Sequence, residues 1–305
     1  MSEPLSSRVG VIGLGAMGNG MAQSLRRAGY MPCVFDVRGE VSAAFVKEGG
    51  TACASPAELG AHCDIVVCVV VNAAQTEAVL FGEQGCAPTM KPGSVFVMCS
   101  TVDPNWSIAL EARLAALNIL YIDAPISGGA AKAASAQMTM MTAGRPAAYA
   151  KAEFALNAMA AKVYKLGDCA GSGSKVKIIN QLLAGVHIAA AAEAMALGLR
   201  EGVDPAALYE VITHSAGNSW MFENRMAHVL AADYTPLSAV DIFVKDLGLV
   251  LDMARASKFP LPLSSTAHQM FMQASTAGFA KEDDRAVIKI FPGIKLPGSL
   301  QTKSE

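Results

Sequence analysis

The chain has 305 residues, of which 52% are hydrophobic and 16% are charged, and its formal net charge is -2. This length favours about two domains, and the high apolar fraction excludes an intrinsically disordered chain. The balance of charges gives no sign of a surface for nucleic acid or for an anionic membrane, so neither is expected as a partner.

Signals for membrane insertion, export and metal binding are missing from the pattern. The longest apolar run, Ile65–Val71, is much shorter than the roughly 20 residues that cross a bilayer. The first residues, MSEPLSSR, lack the apolar core of a signal peptide. The seven cysteines contain no CxxC pair, and Cys33, Cys68 and Cys99 are expected to be small buried apolar side chains. We therefore predict a cytoplasmic protein without a metal site.

Strand and helix signals alternate through the first half of the chain. Apolar runs predict strands at 8–12, 31–35, 64–71, 94–98 and 119–122. Helices are predicted at 19–28, after Ser55, and at 104–117, where capping residues or a proline precede the apolar pattern. This alternation predicts an α/β domain in which helices cover both faces of a doubly wound parallel sheet.

The second half of the chain loses its strand signals after a last strand at 162–166. A long alanine-rich helix is expected up to Gly202, and further helices begin at Asp204-Pro205 and near residues 238, 261 and 284. We predict an α/β domain at 1–168 and an all-helical (all-α) domain at 169–305, which is also expected to mediate oligomerisation. The small side chains of the long helix favour close packing between copies, as a homo-dimer or homo-tetramer.

A glycine-rich loop follows the first strand and carries the spacing GxGxxG. In this motif the glycines permit a tight turn, a close approach of the backbone to pyrophosphate, and packing of the next helix. The N-terminus of that helix favours phosphate. The loop residues that we expect to bind the cofactor are Gly13, Leu14, Gly15, Ala16, Met17 and Gly18.

Asp36 ends the second strand at the spacing of the acidic residue that accepts hydrogen bonds from the adenosine ribose. A carboxylate at this position repels the 2′-phosphate of NADP, so NAD is the expected cofactor. Arg38 complicates the choice, because a nearby arginine can bind that phosphate. The alternative interpretation is a structural turn followed by a surface aspartate.

Two later segments carry polar groups that suit a small acid. In Asp123–Gly129, the hydroxyl of Ser127 and the N–H groups of Gly128 and Gly129 suit a carboxylate, although a simple tight turn would look the same. Farther along the chain, Lys177, Asn180 and Gln181 share one helix face. They are candidates for proton transfer and substrate orientation; the alternative is a solvated lysine.

Four segments together resemble the β-hydroxyacid dehydrogenase family: GLGAMG, STVDP at 100–104, DAPISGGAAKAA and GSGSKVKIINQ. The resemblance implies a Rossmann domain followed by a helical domain, with Lys177 as the catalytic lysine. It implies that Ser127, Gly128 and Gly129 bind the substrate carboxylate. It further implies that Thr101 contacts the cofactor and that Lys245 reaches its nicotinamide side. Many members carry asparagine where this chain has Gln181.

Segments 181–198, 214–225 and 234–252 resemble a branch of the family that oxidises four-carbon sugar acids to 2-oxo acids with NAD. Within them, Asn218, Ser219, Trp220 and Phe222 are candidates for the substrate pocket or, equally, for the helical core. Alternative activities are reduction of tartronate semialdehyde or another short-chain semialdehyde, oxidation of 3-hydroxyisobutyrate, and imine reduction. A non-catalytic dinucleotide-binding module is the alternative of a different class.

Overall fold

A computed structural model describes residues 8–298 of the chain. The first seven residues, on which the expectation of no signal peptide rests, lie outside the described residues. The chain divides into two compact units, one up to Lys177 and one from Ile178 onward.

The first unit contains one nine-stranded sheet, whose middle strands are parallel. Its strands are β1 (Val9–Ile12), β2 (Cys33–Phe35), β3 (Thr51–Ala52), β4 (Ile65–Cys68), β5 (Val95–Met98), β6 (Leu120–Asp123), β7 (Ile126–Ser127), β8 (Met138–Gly144) and β9 (Ala160–Lys165). The order is β3-β2-β1-β4-β5-β6-β8-β7, with β9 paired to β8. The strands from β3 to β6 follow the Rossmann order and are parallel, which confirms the predicted fold class. Strand β8 continues the sheet antiparallel to β6.

Seven helices accompany this sheet within the described residues: α1 (Gly18–Arg27), α2 (Gly39–Lys47), α3 (Pro56–His62), α4 (Ala73–Phe81), α5 (Pro104–Ala116), α6 (Gly129–Ala134) and α7 (Pro146–Met159). Successive residues of the strands belong to two separate apolar cores. Val67 joins the core that contains Met21 of α1, whereas Val66 joins the core that contains Leu59 of α3 and Leu110 of α5. A sheet that is buried on both faces explains why its central strands are continuous apolar runs.

One cysteine prediction is wrong. Cys68 and Cys99 are buried free cysteines, as expected. Cys33 is only half-buried and forms a disulfide with Cys53, which follows β3. The register of β2 on β3 pairs Cys33 with Thr51, so Cys53 lies two residues farther along the neighbouring strand. This proximity depends on strand pairing, which sequence spacing does not show.

The second unit is helical, as predicted. Helix α8 (Ser172–Arg200) begins in the first unit and continues into the second. It is followed by α9 (Pro205–Thr213), α10 (Trp220–Leu230), α11 (Val240–Ser257), α12 (Pro262–Ala274), a π-helical turn (Ser275–Phe279) and a 3-10 helix (Asp284–Ile290). Asp204 caps α9 by accepting a hydrogen bond from Ala207 N at 2.8 Å, as its sequence position indicates.

The core of the second unit is formed by α8, α10, α11 and α12. Phe243 and Phe271 stack with ring centroids 5.1 Å apart, and Leu247 packs directly over Gly185 of α8. Helix α8 is long and apolar enough to span a membrane, but 50% of its most apolar window is buried inside the protein. Core helices of soluble proteins share this property.

Candidate active site

The glycine loop lies between β1 and the N-terminus of α1. Gly13 has φ of 91°, and a Cβ atom there would lie 2.5 Å from Val69 O. A Cβ at Gly18 would lie 1.8 Å from Gly13 O, whereas Gly15 faces open space. Helix α1 has no acidic residue in its first turn and no side-chain cap. These features leave a tight, open turn at the positive end of a helix, which suits a pyrophosphate.

Asp36 lies directly after β2 and is 8% exposed. Its Oδ2 accepts a hydrogen bond from Leu14 N at 2.7 Å, and its Oδ1 accepts one from Arg38 N at 2.9 Å. The Arg38 guanidinium completes the set, with Nε 3.0 Å from Oδ1. Burial acts to raise the pKa of Asp36, but the hydrogen bonds from Arg38 and Leu14 hold that pKa below its usual value. The side chain is therefore a carboxylate at neutral pH.

A cavity of about 620 Å³ opens beside these groups. It is lined by Gly13 and Gly15 of the loop, by Asp36 and Arg38, and by apolar side chains that include Val70 and Val79. Its size lies within the range of roughly 300–1,000 Å³ that is usual for ligand pockets. The combination of a glycine turn, a buried carboxylate and apolar walls fits the adenosine and pyrophosphate parts of a dinucleotide.

Thr101 follows β5 and is half-buried. The hydroxyl of its neighbour Ser100 donates to Val70 O at 2.8 Å. Because Val70 lines the cavity, this hydrogen bond places the Thr101 segment beside the cavity wall.

The segment predicted to bind a carboxylate forms the end of β7 and the start of α6. Ser127 is half-buried and pairs with Thr139 of β8. Gly128 and Gly129 have φ values of 137° and 78°, so glycine is favoured at both positions. Ser127 and the two glycines therefore form a sharp turn immediately before a helix N-terminus, where a hydroxyl and backbone N–H groups lie close together.

Lys177 lies in the second turn of α8 and is 7% exposed, so it is not a solvated surface lysine. The start of this helix is bonded to Asp123, the last residue of β6. Asp123 Oδ2 accepts hydrogen bonds from Gly171 N and Ser174 N, each at 2.9 Å. Its Oδ1 accepts one from Ser174 Oγ at 2.6 Å. Burial raises the pKa of Asp123, against the opposing effect of the bonds from Ser174 and Gly171.

In the second unit, Gln181 and Lys245 both contact the carboxylate of Asp246, which the sequence analysis did not single out. Gln181 Nε2 donates to Asp246 Oδ2 at 2.6 Å, and Lys245 Nζ lies 2.6 Å from Asp246 Oδ1. Asn180 Nδ2 donates to Gln181 Oε1 at 3.1 Å. Asp246 is 2% exposed, and a buried carboxylate requires such partners. These four polar side chains therefore form one connected chain.

Three of the four candidates in segment 214–225 have contacts within the second unit. Ser219 Oγ accepts a hydrogen bond from Phe222 N at 3.0 Å and caps α10. Asn218 Nδ2 donates to Thr213 O, and Phe222 is buried against Tyr209. Trp220 alone is substantially exposed, at 48%. Phe222 belongs to the helical core, which agrees with one of the two interpretations, and Ser219 is the cap of α10.

Known families match the chain over nearly its whole length. Residues 8–167 match the family described as the NAD binding domain of 6-phosphogluconate dehydrogenase. Residues 171–291 match the family described as the NAD-binding domain of NADP-dependent 3-hydroxyisobutyrate dehydrogenase. An L-threonate dehydrogenase of Cupriavidus necator is 67% identical over 97% of this chain and 100% of the relative. The chain belongs to the β-hydroxyacid dehydrogenase family.

Two further comparisons agree with this membership. An L-threonate dehydrogenase of Escherichia coli K12 is 52% identical to this hydroxyacid dehydrogenase over 95% of the chain and 97% of the relative. A crystal structure described as 3-hydroxyisobutyrate dehydrogenase from Salmonella typhimurium is 54% identical, with a TM-score of 0.90. That comparison covers 94% of this chain and 100% of the other. The protein is thus an NAD-dependent hydroxyacid dehydrogenase.

Sequence reasoning missed the contacts of two buried acidic residues, one in each unit of the dehydrogenase. Asp246 directly follows Lys245 in an otherwise apolar helix segment, and an acidic residue next to a proposed functional lysine was the available signal. Asp123 begins the DAPISGG segment, but only the three-dimensional contact with Ser174 shows what it does.

The contacts of Asp36 generate a prediction about cofactor choice. Replacing Asp36 with serine removes the charge that repels a 2′-phosphate and frees Arg38 to bind it. We expect the ratio of the Kd for NADPH to the Kd for NADH to fall by roughly 100-fold, equivalent to about 2.7 kcal/mol. Titration of nicotinamide fluorescence measures both constants without a substrate.

The matched control is Asp64→Ser. Asp64 is another aspartate of the first unit that accepts a backbone hydrogen bond, from Arg8 N at 2.9 Å. It does not line the cavity. An unchanged ratio in Asp36→Ser, or an equal change in both variants, would contradict the role of Asp36.

Proposed function

We propose that this dehydrogenase oxidises L-threonate, a four-carbon sugar acid, to the corresponding 2-oxo acid, with NAD as the hydride acceptor. The observation that carries the proposal is the buried Lys177 on a helix whose start is bonded to the strand leading into the Ser127 turn. The choice of substrate is supported by five curated relatives named L-threonate dehydrogenase, which are between 51% and 67% identical to this chain.

The Ser127 turn binds the substrate carboxylate in this mechanism. The Ser127 hydroxyl and the N–H groups of Gly128 and Gly129 donate hydrogen bonds to its oxygens. Hydrogen bonds to a charged acceptor are stronger than those between neutral groups. Holding the carboxylate fixes the neighbouring carbon, which carries the hydroxyl to be oxidised.

Lys177 acts as the general base. Its amine accepts the proton of the substrate hydroxyl as the carbon–oxygen double bond forms, directly or through one water molecule. When bound, NAD supplies the carbon that accepts the hydride. Residues Gly13 to Gly18, Asp36 and Thr101 would hold it, and Lys245 would contact its nicotinamide side.

Asn180 and Gln181 bind the hydroxyl groups farther along the sugar acid. Because the Gln181 amide is bonded to both Asp246 and Asn180, its orientation is fixed. Asn180 is half-buried, so it keeps an accessible amide for a substrate hydroxyl. A site built from fixed polar groups disfavours an analogue that has a methyl group in place of a hydroxyl.

The proposal extends to the organisation of the protein. We place the cofactor domain at 1–168 and the helical domain at 169–305, in a cytoplasmic homo-dimer or homo-tetramer. Association is supported by the large apolar side chains exposed along α8 in the second unit, Ile179, Leu183 and Leu197. Exposed apolar patches of this kind often mark protein interfaces.

Oxidation of 3-hydroxyisobutyrate is the second candidate activity. The observation in its favour is the name of the crystal structure at 54% identity, described above. A tartronate or other short-chain semialdehyde reductase would use the same groups in the reverse direction.

Initial rates of NADH formation on a set of acids test the substrate. With L-threonate, D-erythronate, 3-hydroxyisobutyrate and D-glycerate at equal concentrations, we expect kcat/KM to be highest for L-threonate. The expected margin over 3-hydroxyisobutyrate is about 100-fold, because that acid has one hydroxyl group where L-threonate has three, which leaves polar groups around Asn180 without partners. Turnover of neither four-carbon acid, or preference for 3-hydroxyisobutyrate, would overturn the substrate assignment.

Replacing Lys177 with alanine tests the general base. We expect kcat for L-threonate to fall by about 10³-fold, within the range usual for loss of a general base, with the Kd for NADH unchanged. Lys175→Ala is the control, because Lys175 is an exposed lysine on the same helix. It should keep kcat within about twofold of the native value. Native turnover in Lys177→Ala would remove Lys177 from the mechanism.

A further inference from the structure

We propose that Asp123 is a positioning residue, which fixes Lys177 relative to the Ser127 turn by holding the start of helix α8. The inference rests on the proposed roles of Lys177 and Ser127 in substrate oxidation. Asp123 does not contact the substrate in this account; it acts through the helix that carries the base.

The carboxylate of Asp123 is bonded on both of its oxygens. It is the last residue of β6, pairs in register with Met98 of β5 and Ala143 of β8, and is fully buried. It accepts the two backbone bonds and the Ser174 hydroxyl bond described above. A side chain at the end of an interior strand is thus the acceptor for N–H groups at the start of α8, which have no partner within the helix.

The first turn of α8 also approaches the sheet without space for an additional atom. A Cβ at Gly173 would lie 2.5 Å from Met141 O and 2.8 Å from Asp123 O. The helix therefore cannot move closer to β6 and β8, and the three hydrogen bonds oppose its moving away. Both directions of displacement are restricted at the same turn.

Lys177 follows Ser174 by three residues, which is slightly less than one turn of an α-helix. A helix transmits a shift of its first turn to the next turn, so a displacement at Ser174 displaces Lys177. In the other direction along the chain, Ser127 follows Asp123 by four residues. One side chain thus sets the position of the proposed base against that of the proposed carboxylate site.

Full burial and the hydrogen bonds accepted by both oxygens separate this role from proton transfer. An acid or base in the reaction must come within hydrogen-bond reach of the reacting atom. The oxygens of Asp123 face Gly171 and Ser174 instead. Its expected effect is therefore on kcat, through geometry, because a misplacement of about 1 Å in a reacting group can lower the rate by about 100-fold.

Two variants test the proposal, one that changes the carboxylate itself and one that removes a single hydrogen bond to it. Asp123→Asn keeps the size of the side chain but turns an NH₂ group toward a backbone or hydroxyl donor. Ser174→Ala removes only the hydroxyl bond and leaves the carboxylate and its two backbone bonds in place. We expect kcat for L-threonate to fall by about 100-fold in Asp123→Asn and by about 10-fold in Ser174→Ala. The Kd for NADH should change less than about twofold in either variant.

A kinetic isotope effect separates misplacement from simple loss of folded protein. With L-threonate deuterated at carbon 2, the effect on kcat should rise above the native value in both variants, because hydride transfer becomes slower than the other steps. A lower folded fraction reduces kcat without changing the isotope effect.

Asp283→Asn is the matched control. Asp283 is equally buried and accepts backbone bonds from Leu237 N and Ser238 N, at 2.7 and 3.1 Å. It should lower the melting temperature but leave the isotope effect and kcat per folded molecule unchanged. If Asp123→Asn does not fold, Ser174→Ala decides the question.

Native kcat and a native isotope effect in folded Ser174→Ala and Asp123→Asn would overturn the proposal. Lys177→Ala distinguishes this failure from that of the proposed function. Inactive Lys177→Ala with unaffected Asp123→Asn contradicts only the positioning role, whereas active Lys177→Ala contradicts the proposed base itself.

Discussion

The buried carboxylate of Asp123 joins the parallel sheet to the start of helix α8, and the arrangement of the candidate site depends on this connection. Asp123 ends β6, which is paired with β5 on one side and with β8 on the other, so the backbone that carries the carboxylate is held in place. Its two oxygens accept hydrogen bonds from backbone N–H groups and a hydroxyl at the start of the helix. Burying a charge is unfavourable unless it is paired or hydrogen-bonded, and the helix N-terminus provides both donors and a positive dipole end.

A second aspartate at the end of a strand, Asp36, also accepts a hydrogen bond from the segment that follows another part of the sheet. Asp36 follows β2 as Asp123 ends β6, and its carboxylate accepts a hydrogen bond from Leu14 N in the glycine loop. Parallel strands place their carboxyl ends on one edge of the sheet, so both aspartates lie on the edge where ligands bind in such folds. One aspartate orders the loop that suits a pyrophosphate, and the other orders the helix that carries the proposed base. Two buried acidic groups at strand ends thus contact the segments that are proposed to bind the cofactor and to carry the base.

Much of this could be predicted from the sequence, because local patterns determine it. The glycine loop, the apolar strands and the capped helix starts at Ser55 and Asp204 are short-range signals, and the structure contains them at the expected places. Strand β8 and helix α7 were not predicted: Met138–Gly144 mixes methionine and threonine without alternation, and the alanines of α7 give little periodicity. The disulfide of Cys33 with Cys53 and the contacts of Asp123 and Asp246 join residues that are 20 to 65 positions apart. Such pairs depend on strand order and helix packing, which a single sequence does not display.

The central claim is that Lys177 and the Ser127 turn act on one substrate molecule. A crystal structure of the protein with NADH and L-threonate measures this directly. We expect the substrate carboxylate to be bound to Ser127, Gly128 and Gly129, with Lys177 Nζ about 2.6–3.2 Å from the hydroxyl on carbon 2 or joined to it by one water molecule. A carboxylate bound elsewhere, or a Lys177 amine more than about 5 Å from that hydroxyl with no bridging water, would contradict it.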